Sequence, residues 1–471
     1  MARPPPAATL LAMRTVRANL ILCLLLCVIH LPVIAQLQPV YSFQQDDTVL
    51  RKNYYDQTIK KKELLLASVG KEYAKDYKAI YDDQFKEIGG FWKSSRAVTS
   101  PGIYNYLQSV VQNIISVNPE LKGTDARIVF TRDWWPNAVS MGDGSVAINA
   151  GLFIFMSSEA ELAFIICHEL AHYYLGHTPE KIKKYVETIN SDAYQAELKR
   201  IAKTTYGAGG QLEAFAKSTA FGSHRHSRES EAAADKQAYL FLKRTGYDIG
   251  AIRSALEMLD RIDDTSVYKP LNLAQVFNTK EYPFRKKWIE KESAIFAQVN
   301  DNSSFTAQEK DSLKTHPDCT KRIALLADSI NAATGGKKFM VNENLFSQLK
   351  KDLFLEITEE CYRAKNLSRN LYYSLLLLQA EENKDIAVYS IARCLNDLFD
   401  KQKNHKLGTA VDTESKSFPE DYNLLLRMLE RIRLDEMAGL NYAFCNEHAA
   451  VMKDFPGFDK ELIKAKKSKD Q

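Results

Sequence analysis

The stretch SEAELAFIICHELAHYY, residues 158–174, decides the fold. Ser158, Glu159 and Glu161 open a helix, and Leu162, Phe164, Ile165 and Ile166 make it apolar nearly all round, which predicts burial in a core. Polar side chains on such a helix are costly unless they bind something. His168 and His172 are four residues apart, so both imidazoles share one face about one turn apart, the separation that a single Zn²⁺ bridges. Glu169 is one residue on and points beside that ion. There a carboxylate is placed to take a proton from a water molecule whose pKa the metal has lowered.

A catalytic zinc site needs a third protein ligand and an open fourth position. Glycine three and histidine six residues after His172 would put that ligand on the same segment, but Leu175 and Thr178 stand there. His177 is therefore assigned a supporting place rather than the metal. A distant acidic residue on another helix remains. In SRESEAAAD, residues 227–235, Glu231 and Asp235 share a helix face one turn apart, and the alanines between them permit close approach to another helix. Glu231 is suited to ligate the metal, and Asp235 to accept a hydrogen bond from a ligand histidine and fix its tautomer. Glu187, Glu197 and Glu229 are further downstream carboxylates that spacing alone does not set aside.

The flanking sequence predicts a mainly α fold with a small β-sheet. Residues 47–93 read as charged helix ended by Gly89-Gly90, and a second amphipathic helix follows Pro101 and closes at Asn118-Pro119. Arg127 to Thr131 reads as a strand. Asn137–Met141 and Ser145–Asn149 flank Gly142-Asp143-Gly144 as a hairpin. Residues 179–222 form a charged helical excursion interrupted by Gly207, Gly209 and Gly210. A helix then runs from about Arg228 to Thr245, capped by Gly246. The polar stretch from Asp263 to Lys314 reads as a surface insertion or lid. From Asn342 onward the pattern is helical, with Leu371–Leu378 and Ile386–Leu398 as one antiparallel pair, and a degenerate TPR-like array is a weak suggestion.

With HELAH at 168–172 and SRESEAAAD at 227–235, the chain resembles the zinc endopeptidases related to HtpX and the CaaX prenyl proteases, whose pattern is HExxH with a later ExxAD. Asn137-Ala138 before the hairpin, Gly151-Leu152 leading to Ser158, and Thr315-His316-Pro317 with Arg322-Ile323 extend the resemblance over roughly residues 85–330. It places Glu231 on the family's ligand glutamate and Asp235 on its aspartate. It implies a gluzincin-type core in which an edge strand, here with Asn137 and Ala138, holds an extended substrate. It gives His316 and Arg322 a share in stabilising the oxyanion, or His316 a place as a ligand that closes the fourth metal position. The membrane-embedded members have several spanning helices. This chain has none after its amino terminus and so resembles the soluble periplasmic, BepA-like branch.

Length, composition and charge agree with that. The 471 residues suggest more than one folded unit, here residues 36–333 as a zinc metallopeptidase and 334–471 as a helical C-terminal region. Hydrophobic residues at 45% and charged residues at 26% describe an ordinary globular chain. Arg14 and Arg17 before the apolar run Leu20–Ile34, with Ala35 before Gln36, predict a secretory signal over residues 1–35, and Met13 is an alternative start. The formal charge of +4 loses Arg3, Arg14 and Arg17 with the signal, leaving about +1, which argues against a nucleic-acid partner. Expected partners are unfolded or extended protein substrates, with protein contacts through the C-terminal helices. Periplasmic export is the expectation, with secretion or a signal anchor as alternatives.

Five scattered cysteines remain after residue 35, Cys167, Cys319, Cys361, Cys394 and Cys445. They form no disulfide framework, although a Cys361–Cys394 bridge is open to an exported chain. Asn302 and Asn366 begin sequons that a eukaryotic secretory route would use. Together these features predict an exported zinc metalloendopeptidase of envelope protein quality control. The competing class is a zinc-stabilised, non-proteolytic chaperone or assembly factor. An acyl-transfer or nucleophilic hydrolase is a poor rival, since no GxSxG elbow is present.

Overall fold

The computed structural model describes residues 45–204, 211, 228–262, 268–290, 319–332, 335–416 and 418–471. The signal segment, the glycines at 207–210, Ser227, the Asn302 sequon and His316 lie outside the described residues. The fold is mainly α with a small mixed sheet, followed by helices to the C-terminus. No helix among the described residues is long and apolar enough to cross a membrane.

Residues 47–93 form two helices rather than one, α1 (Thr48–Ser68) and α2 (Ala74–Lys93), with Tyr73 in the left-handed region between them at φ 54°. Gly89-Gly90 does not end α2. Phe91 and Trp92 are buried and keep the last turn helical. β1 (Ala97–Val98) and α3 (Pro101–Val117) follow, the latter with Pro101 in its first turn. β2 (Arg127–Thr131), β3 (Ala138–Ser140) and β4 (Ser145–Asn149) complete a sheet of order β1-β2-β4-β3, in which β2 and β4 are parallel and the other pairs antiparallel. The hairpin expected between Asn137 and Asn149 is therefore present, and its shorter strand, β3, is an edge.

The helix read from residues 158–174 is α4 (Glu159–Tyr174). The Ser158 side chain accepts a hydrogen bond from the Glu161 N–H, and Glu159 and Glu161 lie against the positive end of the helix. Residues 159–171 are all buried, as their composition requires. Gly176 at φ 68° turns the chain out of α4 into α5 (His177–Asn190), and α6 (Asp192–Ala202) follows. Residues 228–243 form α7, Gly246 lies beyond it at φ 82°, and α8 (Ala251–Arg261) and α9 (Cys319–Asn331) pack together.

The remaining helices are α10 (Glu343–Arg363), α11 (Leu367–Gln379), α12 (Lys384–Lys403), α13 (Glu420–Arg431), α14 (Leu434–His448) and α15 (Phe458–Lys469). The expected pair at 371–398 is α11 and α12, packed on each other across a four-residue turn.

Within the stretch read as a surface insertion, residues 268–290 are not one. Leu271, Leu273, Phe277 and Trp288 are buried in the same core as Leu371, Leu395, Tyr422 and Phe444. The apolar payload of two aromatics and two leucines outweighs the polar residues between them. Glu436, fully buried, holds this segment by accepting bonds from Arg285, Lys287 and the Trp288 indole.

Cys361 and Cys394 are free buried thiols, so the bridge considered for them is absent, and Cys167 and Cys445 are likewise free and buried. The Asn366 amide is committed to structure. Its oxygen caps α11 by accepting from the Arg369 N–H, its nitrogen donates to Asp412, and Ser368 is fully buried.

Candidate metal centre

α4 and α7 meet where His168, His172 and Glu231 bring one ligand atom each within 4.8 Å of one another. The two histidine Nε2 atoms are 3.0 Å apart. Glu231 Oε2 lies 3.4 Å from His168 Nε2, and Oε1 lies 3.2 Å from His172 Nε2. Ligand atoms about 2.0–2.1 Å from a tetrahedral ion stand roughly 3.3 Å from each other, so these spacings suit a single small cation.

The other ring nitrogens turn away from that point and are held. His168 Nδ1 is 2.9 Å from Asp235 Oδ1, and His172 Nδ1 is 2.8 Å from His177 Nδ1. Both imidazoles are thus fixed from behind with Nε2 facing the common point, the arrangement that orients histidine ligands. The chemistry of this donor set, two imidazoles and one carboxylate, fits a zinc ion.

Asp235 is held in turn by Arg322 on α9. Its oxygens accept from Arg322 Nε at 2.7 Å and Nη2 at 2.6 Å, and Nη1 lies 3.5 Å from Glu231. Burial tends to raise the Asp235 pKa, but Arg322 and His168 outweigh it and hold it at about 2. Burial also works against a charged His168, yet Asp235 and Glu231 carry its pKa up to about 10. Burial and the neighbouring His172 hold His177 below the ordinary histidine range. The pocket therefore favours positive charge between its carboxylates.

Glu169 is 3% exposed and has no hydrogen-bond or ion-pair partner among the described residues. Asn137 and Ala138 lie at the start of edge strand β3, against which α4 packs. Asn137 accepts from the Asn149 N–H, and the Met141 N–H donates to Ser145. By the alternation of an antiparallel pair, Ala138 and Ser140 turn their backbone N–H and C=O groups toward the open edge.

The structure thus brings His168, His172, Glu231, Asp235 and Arg322 into one cluster, with Glu169 next to His168 on α4. Two contacts escaped the sequence. The His177–His172 bond depends on the Gly176 break, whose positive φ folds residue 177 back over residue 172. The Arg322–Asp235 pair had one available signal, two residues of opposite charge flanking the two halves of a single site.

A buried helix with paired histidines, a distant glutamate ligand and an adjacent unpaired carboxylate defines a gluzincin-type metallopeptidase site. Residues 104–330, just under half of the chain, match Peptidase family M48, a family of zinc metallopeptidases, and that span holds His168, His172 and Glu231. The chain is also similar to a Vibrio cholerae protein provisionally named a beta-barrel assembly-enhancing protease, 25% identical over 181 residues, 38% of this chain and 36% of that relative. The similarity thus spans about a third of the relative's length.

Proposed function

We propose that this chain is an exported zinc metalloendopeptidase that hydrolyses peptide bonds of unfolded or extended proteins in envelope quality control, holding one zinc through His168, His172 and Glu231. Bound there, the ion would polarise the scissile carbonyl and lower the pKa of a water molecule. Glu169 takes the water proton and delivers it to the leaving amine. Asp235 and His177 keep the two imidazoles aimed, and Arg322 balances the charge of Asp235 and Glu231. The substrate lies extended along β3, bonded to the outward backbone groups of Ala138 and Ser140.

The observation that carries this is Glu169. A zinc that only held the fold would need its ligands and no buried, unpaired carboxylate one residue from His168. The apolar run at 20–34 supports export, and the name of the Vibrio cholerae relative supports a role in envelope protein assembly. The test is Glu169→Gln. Cleavage of casein or another unfolded protein should fall by about 10²–10⁴-fold with zinc content unchanged, because only the base is lost. Substantial proteolysis by the purified variant would remove Glu169 from the role. A wild-type protein that binds zinc and cleaves nothing would favour the assembly-factor class.

A further inference from the structure

β3 has three residues, so it offers an extended peptide few backbone bonds, and their value depends on how firmly the strand is held. Its far end is fixed within the family-matched segment and by α1. Asp143, fully buried in the β3–β4 turn, accepts from Arg127 Nη2 at 2.7 Å, from Thr58 of α1 at 2.9 Å and from the Ser145 N–H at 2.8 Å.

The leading end is fixed differently. There Asn149 Nδ2 donates to the Trp135 carbonyl at 2.9 Å, and the Gly151 N–H donates to the Asp133 carbonyl at 3.0 Å. The Trp134 carbonyl passes so close to Gly151 that a Cβ there would sit 1.9 Å from its oxygen. The Trp134 ring turns away from this seam and meets α11. The Arg369 guanidinium carbon lies 3.2 Å from the centre of that ring, with the rings of Phe418 and Tyr422 at 4.7 and 4.8 Å and Asp412 pairing Nε at 2.9 Å. Arg369 is buried, so this cation–aromatic stack is desolvated and near the strong end of its range. Residue 369 lies beyond the segment that matches the family.

We propose that Arg369, supplied by the helical C-terminal region, is a positioning residue for substrate binding. Stacked on Trp134, it holds the loop that delivers Asn137 and Ala138 to the edge strand. The inference rests on the strand-addition reading given above. Arg369 is on a different element from α4 and α7, so loosening the stack should weaken peptide binding and leave the chemical step and the metal ligands alone. The C-terminal helices are then part of the substrate site, as well as a surface beside it.

The test uses the full-length zinc protein and an extended peptide substrate. Trp134→Leu and Arg369→Lys should each raise KM roughly 3- to 30-fold with kcat within about twofold and zinc per chain unchanged. Trp134→Phe, which restores an aromatic face, should recover most of the loss, and the double variant should be no worse than either single one. An unchanged KM in folded Arg369→Lys, or a fall in kcat or zinc without a rise in KM, overturns the proposal. If Trp134→Leu does not fold, Arg369→Lys against Trp134→Phe decides the matter alone. Failure of the wild type to cleave any peptide overturns the proposed function itself, a separate outcome from an active wild type whose KM is indifferent to Arg369.

Discussion

The metal-helix region and the C-terminal helices bury charged side chains to similar depth and use them in opposite ways. Around α4 the buried groups converge. His168, His172 and Glu231 face one point, Asp235 and Arg322 back them, and Glu169 stands beside them with no described partner. Among α10 to α15 most buried polar groups close on a neighbour, and those left over, such as one Glu360 oxygen, gather into no shared metal-binding cluster among the described residues. Asn370 and Ser374 meet Ser390, Asn441 donates to Asn396, and Glu436 collects Arg285, Lys287 and Trp288. Burial alone therefore does not mark a site. Convergence that leaves a group unspent does, whereas pairwise closure marks architecture.

That contrast is open to attack from both sides. Glu231→Ala should produce the largest effect, loss of bound zinc and of all measurable peptidase activity. Unchanged zinc content in the variant would mean that the convergence point is misplaced. Asp235→Asn keeps the ligands and weakens their support, so zinc affinity measured by chelator competition should drop about 10- to 100-fold. Equal affinity would reduce the Asp235–Arg322 pair to architecture.

In the C-terminal region Glu436→Gln should leave zinc per chain unchanged and cost about 2 kcal/mol of stability at neutral pH, through lost charge-assisted bonds. Burial tends to raise the Glu436 pKa, but Lys287, the Trp288 indole and the Arg433 N–H bring it from 4.5 to about 2. A carboxylate lowered on folding adds stability above its unfolded pKa and loses it as pH falls through the folded one. The gap between wild type and variant should thus be full above pH 4.5 and close as the pH approaches about 2. A gap independent of pH would mean that the charge of Glu436 is not what holds residues 285–288.

Elements whose period is long and unbroken were legible from sequence. α4, α3, β2 and the β3–β4 hairpin follow from apolar spacing and from Gly142-Asp143-Gly144, and the metal cluster from two short motifs in the right order. What stayed hidden depends on partners distant in the chain. Residues 268–290 look polar because Leu271, Phe277 and Trp288 are spaced without period. All three are buried in one core with side chains of the helices from Leu367 onward. The break after Ser68 carries a non-glycine residue, Tyr73, in a left-handed conformation, which no composition rule anticipates. Nothing in the sequence around Arg369 connects it with Trp134, which lies in the loop before β3 and supplies the face it stacks on.

The burial of Cys167, Cys319, Cys361, Cys394 and Cys445 has a practical consequence. All are buried, and burial pushes Cys167, Cys361 and Cys394 well above the ordinary thiol range and Cys445 up to about 12. In the native fold these described cysteines offer almost no thiolate to a labelling reagent, and every opening of a helix releases some. Alkylation of these cysteines is thus a built-in clock for breathing of the fold. Its hands are spread from α4 to α14, and it can be read in reducing buffer because no described cysteine is tied into a bridge.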